Sequence, residues 1–277
     1  MYWREYSGRG GEEMFEGWLK TYMANYPEAL IAEVSYRGGI EKLRAMMRDE
    51  ILPEIDSHIH EIIEGWMTFL ENFEEIRGRA EALLRPHTTT MTILYVGSGW
   101  KRSPVASVLS LPILLFDLGA LAELGWITGD KIRRELAFAF GKLYHALARG
   151  VLELENLEKN PFFRLYSEGV AQLVGSMLLE KGSEKAEEME WVEACRAIEG
   201  DLARTYLELA ETGSIEEFYD PRLRIRGAEL SGRYLGYRIV KELVDRGTEI
   251  DEMLRTSGSE AIELSKELLR SLVSEDQ

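Results

Sequence analysis

Arg133 to Gly150 reads RRELAFAFGKLYHALARG, and a little downstream Tyr166 to Ala171 reads YSEGVA. Around the first stretch Ile132, Leu136, Phe140, Leu143 and Leu147 recur at steps of three and four, the period of one buried stripe along a helix. Thr128 or Asp130 can cap its start, and Gly150 supplies its stop. A second stripe of the same helix carries Glu135, Phe138, Lys142, His145 and Arg149, and the functional reading rests on that face.

Zinc peptidases of the H-E-x-x-H type project two histidines four residues apart from one helical face onto one ion, with the intervening glutamate activating the bound water. In the glutamate-liganded branch, the gluzincins, the third ligand sits on the next long helix, often inside a phrase such as S-E-G-x-A. Ser167 to Ala171 is such a phrase. YVGSGW (Tyr95 to Trp100), LPILLFDLGALAELGW (Leu111 to Trp126) and SGRYLGYRIVKELVDRG (Ser231 to Gly247) resemble that family's strand, pre-helix segment and late helix, so the resemblance covers roughly Thr89 to Arg255.

It implies a mainly α (α+β) fold, zincin-like, with a small sheet beside the active-site helix. With 277 residues and 45% hydrophobic content, the length suits one large domain or two small ones; one domain over 1–277 is expected, a helical part over 1–86 and a peptidase-like part over 87–277.

The metal-binding half of the motif has changed. Laid over H-E-F-G-H-L-Y-H, the segment FAFGKLYH puts Phe138 at the first histidine, Ala139 at the glutamate and Lys142 at the second histidine; a register ending on His145 puts Gly141 and Lys142 at the first His-Glu. Phenylalanine donates no lone pair, alanine accepts no proton, and a lysine cation repels a divalent metal.

The expected site is therefore vestigial, at Phe138, Ala139, Lys142 and Glu168, with no catalytic residue and no cofactor. Tyr234 and Tyr237 stand where the family places an oxyanion-stabilising side chain. The resemblance further implies that the Lys142 ammonium fills the space of the zinc and pairs with Glu168. Asn160 and Pro161 cap and open the helix that carries this glutamate.

Composition limits the alternatives. Across 277 residues, 33 lysines and arginines face 49 acidic residues, a formal charge of −16, which argues against nucleic acid or an anionic membrane surface as partner. Cys195 is the only cysteine, so no internal disulfide forms. The N-terminus lacks the apolar core of a signal peptide, and the longest apolar run is broken by Pro112 and Asp117; a cytoplasmic setting is expected. Glutamine occurs only at 172 and 277 while glutamate, lysine and arginine are plentiful, a usage typical of hyperthermophile proteins.

Elsewhere the patterns predict helices over Glu12–Tyr26, from Pro27, over Ile40–Glu50 and from Pro53 to about Leu84. In the last of these Ile55, Ile59, Ile62, Trp66, Phe69, Phe73, Ile76, Ala80 and Leu83 form a heptad seam that packs within the chain or, less readily, joins a homodimer. His58 and His60 point about 200° apart on that helix and cannot share an ion unaided. Thr88–Val96 reads as a strand, and Ala106–Phe116 as a second strand or a pair split at Pro112. The Gly97-Ser98-Gly99 loop lacks the G-K-S/T of a phosphate loop.

Helices are also expected over Glu184–Glu199, over Asp201–Glu211, after a capping box at Ser214-x-x-Glu217, over Ala228–Arg246 and over Ser257–Val273. Arg222, Arg224, Arg226 and Arg233 make a basic patch whose default partners are the chain's own carboxylates.

Three readings follow: a gluzincin-like protein without catalysis that retains a cleft for peptide or protein, a helical interaction or scaffold protein without peptidase ancestry, and a metal-dependent hydrolase built unconventionally on His145 and Glu168 with zinc.

Overall fold

A computed structural model describes residues 2–84, 90–99, 104–108, 111–179 and 190–275. It is mainly helical, with a small three-stranded mixed sheet, an α+β chain. Two compact units divide it: residues 1–73 with 89–132, and residues 74–88 with 133–277.

The first unit contains α1 (Tyr2–Tyr6), α2 (Gly11–Gly17), α3 (Pro27–Arg37), α4 (Ile40–Met46) and most of α5 (Leu52–Leu84). The helix expected over Glu12–Tyr26 is present as α2 followed by a π turn at Trp18–Tyr22 and a 3-10 turn at Met23–Asn25. A second π turn, Met47–Ile51, joins α4 to α5 without a break. Pro53 accounts for it: proline has no N–H for the carbonyl four residues back and its ring clashes there, so the preceding turn widens and Leu52 N–H bonds the Met47 carbonyl instead.

On α5, Ile55, Ile62, Phe69, Ile76 and Ala80 are buried as the seam predicts, whereas Trp66 and Leu83 are exposed. The seam turns at Gly65, where an added Cβ would lie 2.9 Å from Ile127 Cγ2. The missing side chain lets Ile127 approach, and Trp66 rotates outward.

The sheet has the order β1-β3-β2, with β1 (Met91–Tyr95) parallel to β3 (Leu111–Asp117) and β2 (Val105–Val108) antiparallel to it. Residues 88–89 of the expected first strand lie outside the described residues. The expected second strand is a pair, β2 ending at Val108 and β3 starting at Leu111, and Pro112 lies within β3 opposite Ser107. The ladder to β1 begins only at Ile113, so proline's missing N–H is harmless. Central β3 is buried from Pro112 to Asp117, as a strand covered on both faces must be. Asp117 caps α6 (Leu118–Glu123) by accepting from the Gly119 and Ala120 amides.

The second unit holds most of α7 (Gly129–Arg149), then α8 (Val151–Leu157), α9 (Pro161–Leu178), α10 (Glu190–Arg196), α11 (Glu199–Thr212), α12 (Ser231–Asp245), α13 (Ile250–Arg255) and α14 (Gly258–Glu275). Asn160 Oδ1 caps α9 through the Phe162 and Phe163 amides, and Pro161 opens it. Phe163 to Ala171 is buried without interruption, so α9 is the central helix of the unit.

Glycines set how closely its neighbours approach. A Cβ on Gly141 of α7 would lie 2.2 Å from the Ala171 carbonyl oxygen, one on Gly175 would lie 3.0 Å from Phe138 N, and one on Gly169 would lie 2.0 Å from the Gly236 oxygen of α12. The backbones of α7, α9 and α12 are therefore almost in contact.

The capping box at Ser214-x-x-Glu217 opens no α-helix. Gly213 ends α11 in the left-handed region, and a single 3-10 turn, Glu216–Phe218, follows. Of the helix expected over Glu184–Glu199, residues 184–189 lie outside the described residues.

Candidate functional site

The polar face of α7 meets α9 in the interior of the second unit. Lys142 is 1% exposed, and its Nζ lies 2.5 Å from Glu158 Oε1, 2.8 Å from Glu168 Oε1 and 3.1 Å from Ser167 Oγ. Those three acceptors use all three ammonium protons. Burial pushes the Lys142 pKa down, but the charges of Glu158 and Glu168 outweigh it and the net shift is upward. For Glu168 burial pushes up, and Lys142, Arg233 and Arg164 together pull the carboxyl below its ordinary value. Both groups are charged at neutral pH.

Arg233 of α12 completes the cluster. It donates to both carboxylate oxygens of Glu135 at 2.6 and 3.2 Å, its Nε lies 3.8 Å from Glu168 Oε2, and its guanidinium lies 3.7 Å from the Phe138 ring centroid. Phe138 thus serves as the floor beneath a cation. Ala139 is fully buried, within the stretch where α7 runs closest to α9.

His145 lies one turn further along α7, fully buried, with Nδ1 3.2 Å from Ser167 Oγ. Arg149 Nε donates to His145 Nε2 at 3.0 Å, so that nitrogen carries the lone pair and the network assigns the proton to Nδ1. The Nδ1–H then donates to Ser167. Ser167 Oγ accepts from His145 and Lys142 and donates to Glu158 at 2.5 Å. This tautomer cannot take a proton from the serine, which removes the Ser–His nucleophile that the trio suggests. Burial, then Lys142 and Arg149, hold the His145 pKa well below the imidazole range.

Zinc does not fit these residues. At the positions where the resemblance would set a metal, Phe138 and Ala139 offer no ligand atom, the Lys142 ammonium bonds Glu168, and the Arg233 guanidinium stands over Phe138. Glu168 bonds Lys142, whereas His145 bonds Ser167 and Arg149.

Tyr234 is engaged elsewhere: its hydroxyl donates to Glu199 at 2.8 Å, alongside Arg238 Nε at 2.5 Å. Tyr237 is half-buried on α12. In the basic patch, Arg222 pairs with Asp220, Arg224 with Glu229, Arg226 with Asp201 and Arg233 with Glu135, so each arginine meets a carboxylate of the chain.

Glu158 was not apparent from the sequence. Its position just before the Asn160-Pro161 cap is the one local signal that it turns back toward α7. Arg233 stood out only as one of four arginines.

In the first unit, the amides that a phosphate would need at the Gly97–Gly99 loop already have partners. Gly97 and Gly99 donate to Asp117 at 3.0 and 2.8 Å, and Ser98 donates to Glu33 at 3.2 Å. Exposed His60 lies 3.2 Å from Glu64, four residues on.

Compared with family models, curated proteins and solved structures, the chain matches none.

Proposed function

We propose that this chain is a gluzincin-like protein without catalysis: a peptidase-type helical scaffold in which a lysine bridge replaces the metal and the retained activity is binding of peptide or protein. The observation that carries the reading is the position of Lys142. It stands where the second histidine is expected, and its ammonium bonds Glu168, the residue at the third-ligand position. The proposal includes a cytoplasmic setting, no cofactor, and no nucleic acid among the partners, in keeping with the charge of −16. Among the described residues no helix is long and apolar enough to cross a membrane.

A second reading, a helical interaction protein without peptidase ancestry, draws support from Gly169. That glycine is required where α9 meets Gly236 of α12, so the S-E-G phrase has a packing reason that needs no metal.

Elemental analysis of protein purified without chelator tests the proposal, together with zinc titration of the triple variant Phe138→His, Ala139→Glu, Lys142→His, with circular dichroism to show that it folds. The proposal expects no zinc in the natural protein and tight zinc in the variant. Stoichiometric zinc in the natural protein refutes it. A folded variant that takes no zinc favours the second reading.

A further inference from the structure

Four large apolar side chains of α5 face outward together. Ile63 is 52% exposed, Trp66 48%, Met67 51% and Leu70 48%. Their positions are i, i+3, i+4 and i+7, one continuous stripe on a helix, and it flanks the buried line through Ile62, Gly65 and Phe69, about 120° round the helix from it. Scattered exposed hydrophobes need no explanation, whereas a contiguous stripe holding tryptophan and methionine has the composition of a binding face. Exposed Glu64 and Glu71 lie along one edge of it, and from Ser57 to Glu75 the helix has no lysine or arginine.

We propose that this face docks a basic amphipathic helix of another protein, apolar side chains on the stripe and lysines or arginines against Glu64 and Glu71. Charge decides among occupants. A second copy would offer no lysine or arginine from this stretch to meet Glu64 and Glu71, and would bring together two chains of net charge −16. An anionic membrane is repelled for the same reason. A basic helix satisfies both the apolar stripe and its acidic edge.

The test uses the full chain and a fluorescently labelled amphipathic peptide with leucines on one face and lysines on the other, read by anisotropy, with a leucine–glutamate peptide as control. The expected result is saturable binding of the lysine peptide only. Trp66→Ser with Leu70→Ser weakens that binding at least about tenfold, and Glu64→Lys with Glu71→Lys transfers the preference to the glutamate peptide. All four positions are exposed, so the variants fold, which circular dichroism checks. Lysine-peptide binding unchanged by Trp66→Ser and Leu70→Ser is attraction to the overall charge and overturns the proposal. So does the absence of binding, or a dimer in sedimentation that those two substitutions dissociate.

Discussion

Replacing Lys142 by methionine keeps most of the side chain's length and removes its charge and its three N–H donors. The change deletes hydrogen bonds to Glu158, Glu168 and Ser167 and leaves two carboxylates whose side chains are only 14% and 6% exposed. Breaking a buried ion pair from one side costs about 3–5 kcal/mol. The lower end applies here, because Arg233 still faces Glu168 at 3.8 Å.

A loss of about 3 kcal/mol lowers the melting temperature by about 6–12 °C at this size. Urea denaturation followed by circular dichroism measures it. The penalty also has a pH signature: with the ammonium gone, burial raises the folded-state pKa of Glu168 above its unfolded value, so the penalty is full at neutral pH and shrinks as the carboxyl protonates on acidification.

In the double variant Lys142→Met, Glu168→Gln the stranded charge disappears, and the loss is smaller than the sum of the singles. A Lys142→Met loss under about 1 kcal/mol, the value of an exposed pair, with no pH dependence would refute the buried-bridge reasoning.

His145 stays neutral in the fold, its pKa held well below 6.5, while the unfolded chain protonates near 6.5. Stability therefore falls as pH drops below about 6.5, by about 1.4 kcal/mol per unit for this one proton; pH-dependent denaturation of His145→Gln, expected to lose that slope, checks it. Gly169→Ala places a Cβ 2.0 Å from the Gly236 oxygen, so α9 and α12 must part, with an expected loss of about 3 kcal/mol or more. A neutral result by thermal denaturation would contradict the close approach of those backbones.

Local features were legible wherever they obeyed one period or one cap. The stripe of Leu136, Phe140 and Leu143 is buried, Asn160-Pro161 opens α9, and the Lys142–Glu168 contact expected from the resemblance is present. What escaped depends on tertiary packing. Trp66 satisfies the heptad spacing, but a seam belongs to whichever residues the neighbour can reach, and Gly65 admits Ile127 one position earlier. Ser214 and Glu217 have the letters of a capping box without an apolar helical run to follow. Glu158 becomes a partner of Lys142 only because the turn after α8 folds back, and no spacing records that.

The cluster's contribution is better understood as alignment than as stability. A buried ion pair roughly offsets its own desolvation and is often no better than an apolar substitute. The helices here also approach through Gly141, Ala171, Gly175, Gly169 and Gly236, backbone contacts that set which turn of each helix meets which but carry no directional bond of their own.

A charge that must find its partners resists sliding strongly. Moving α7 by one turn, about 5.4 Å, would strip the Lys142 ammonium of Glu158, Glu168 and Ser167 together, and Arg233 ties α12 to the same constellation through Glu135 and Glu168. The cluster thereby ties together the register of three helices.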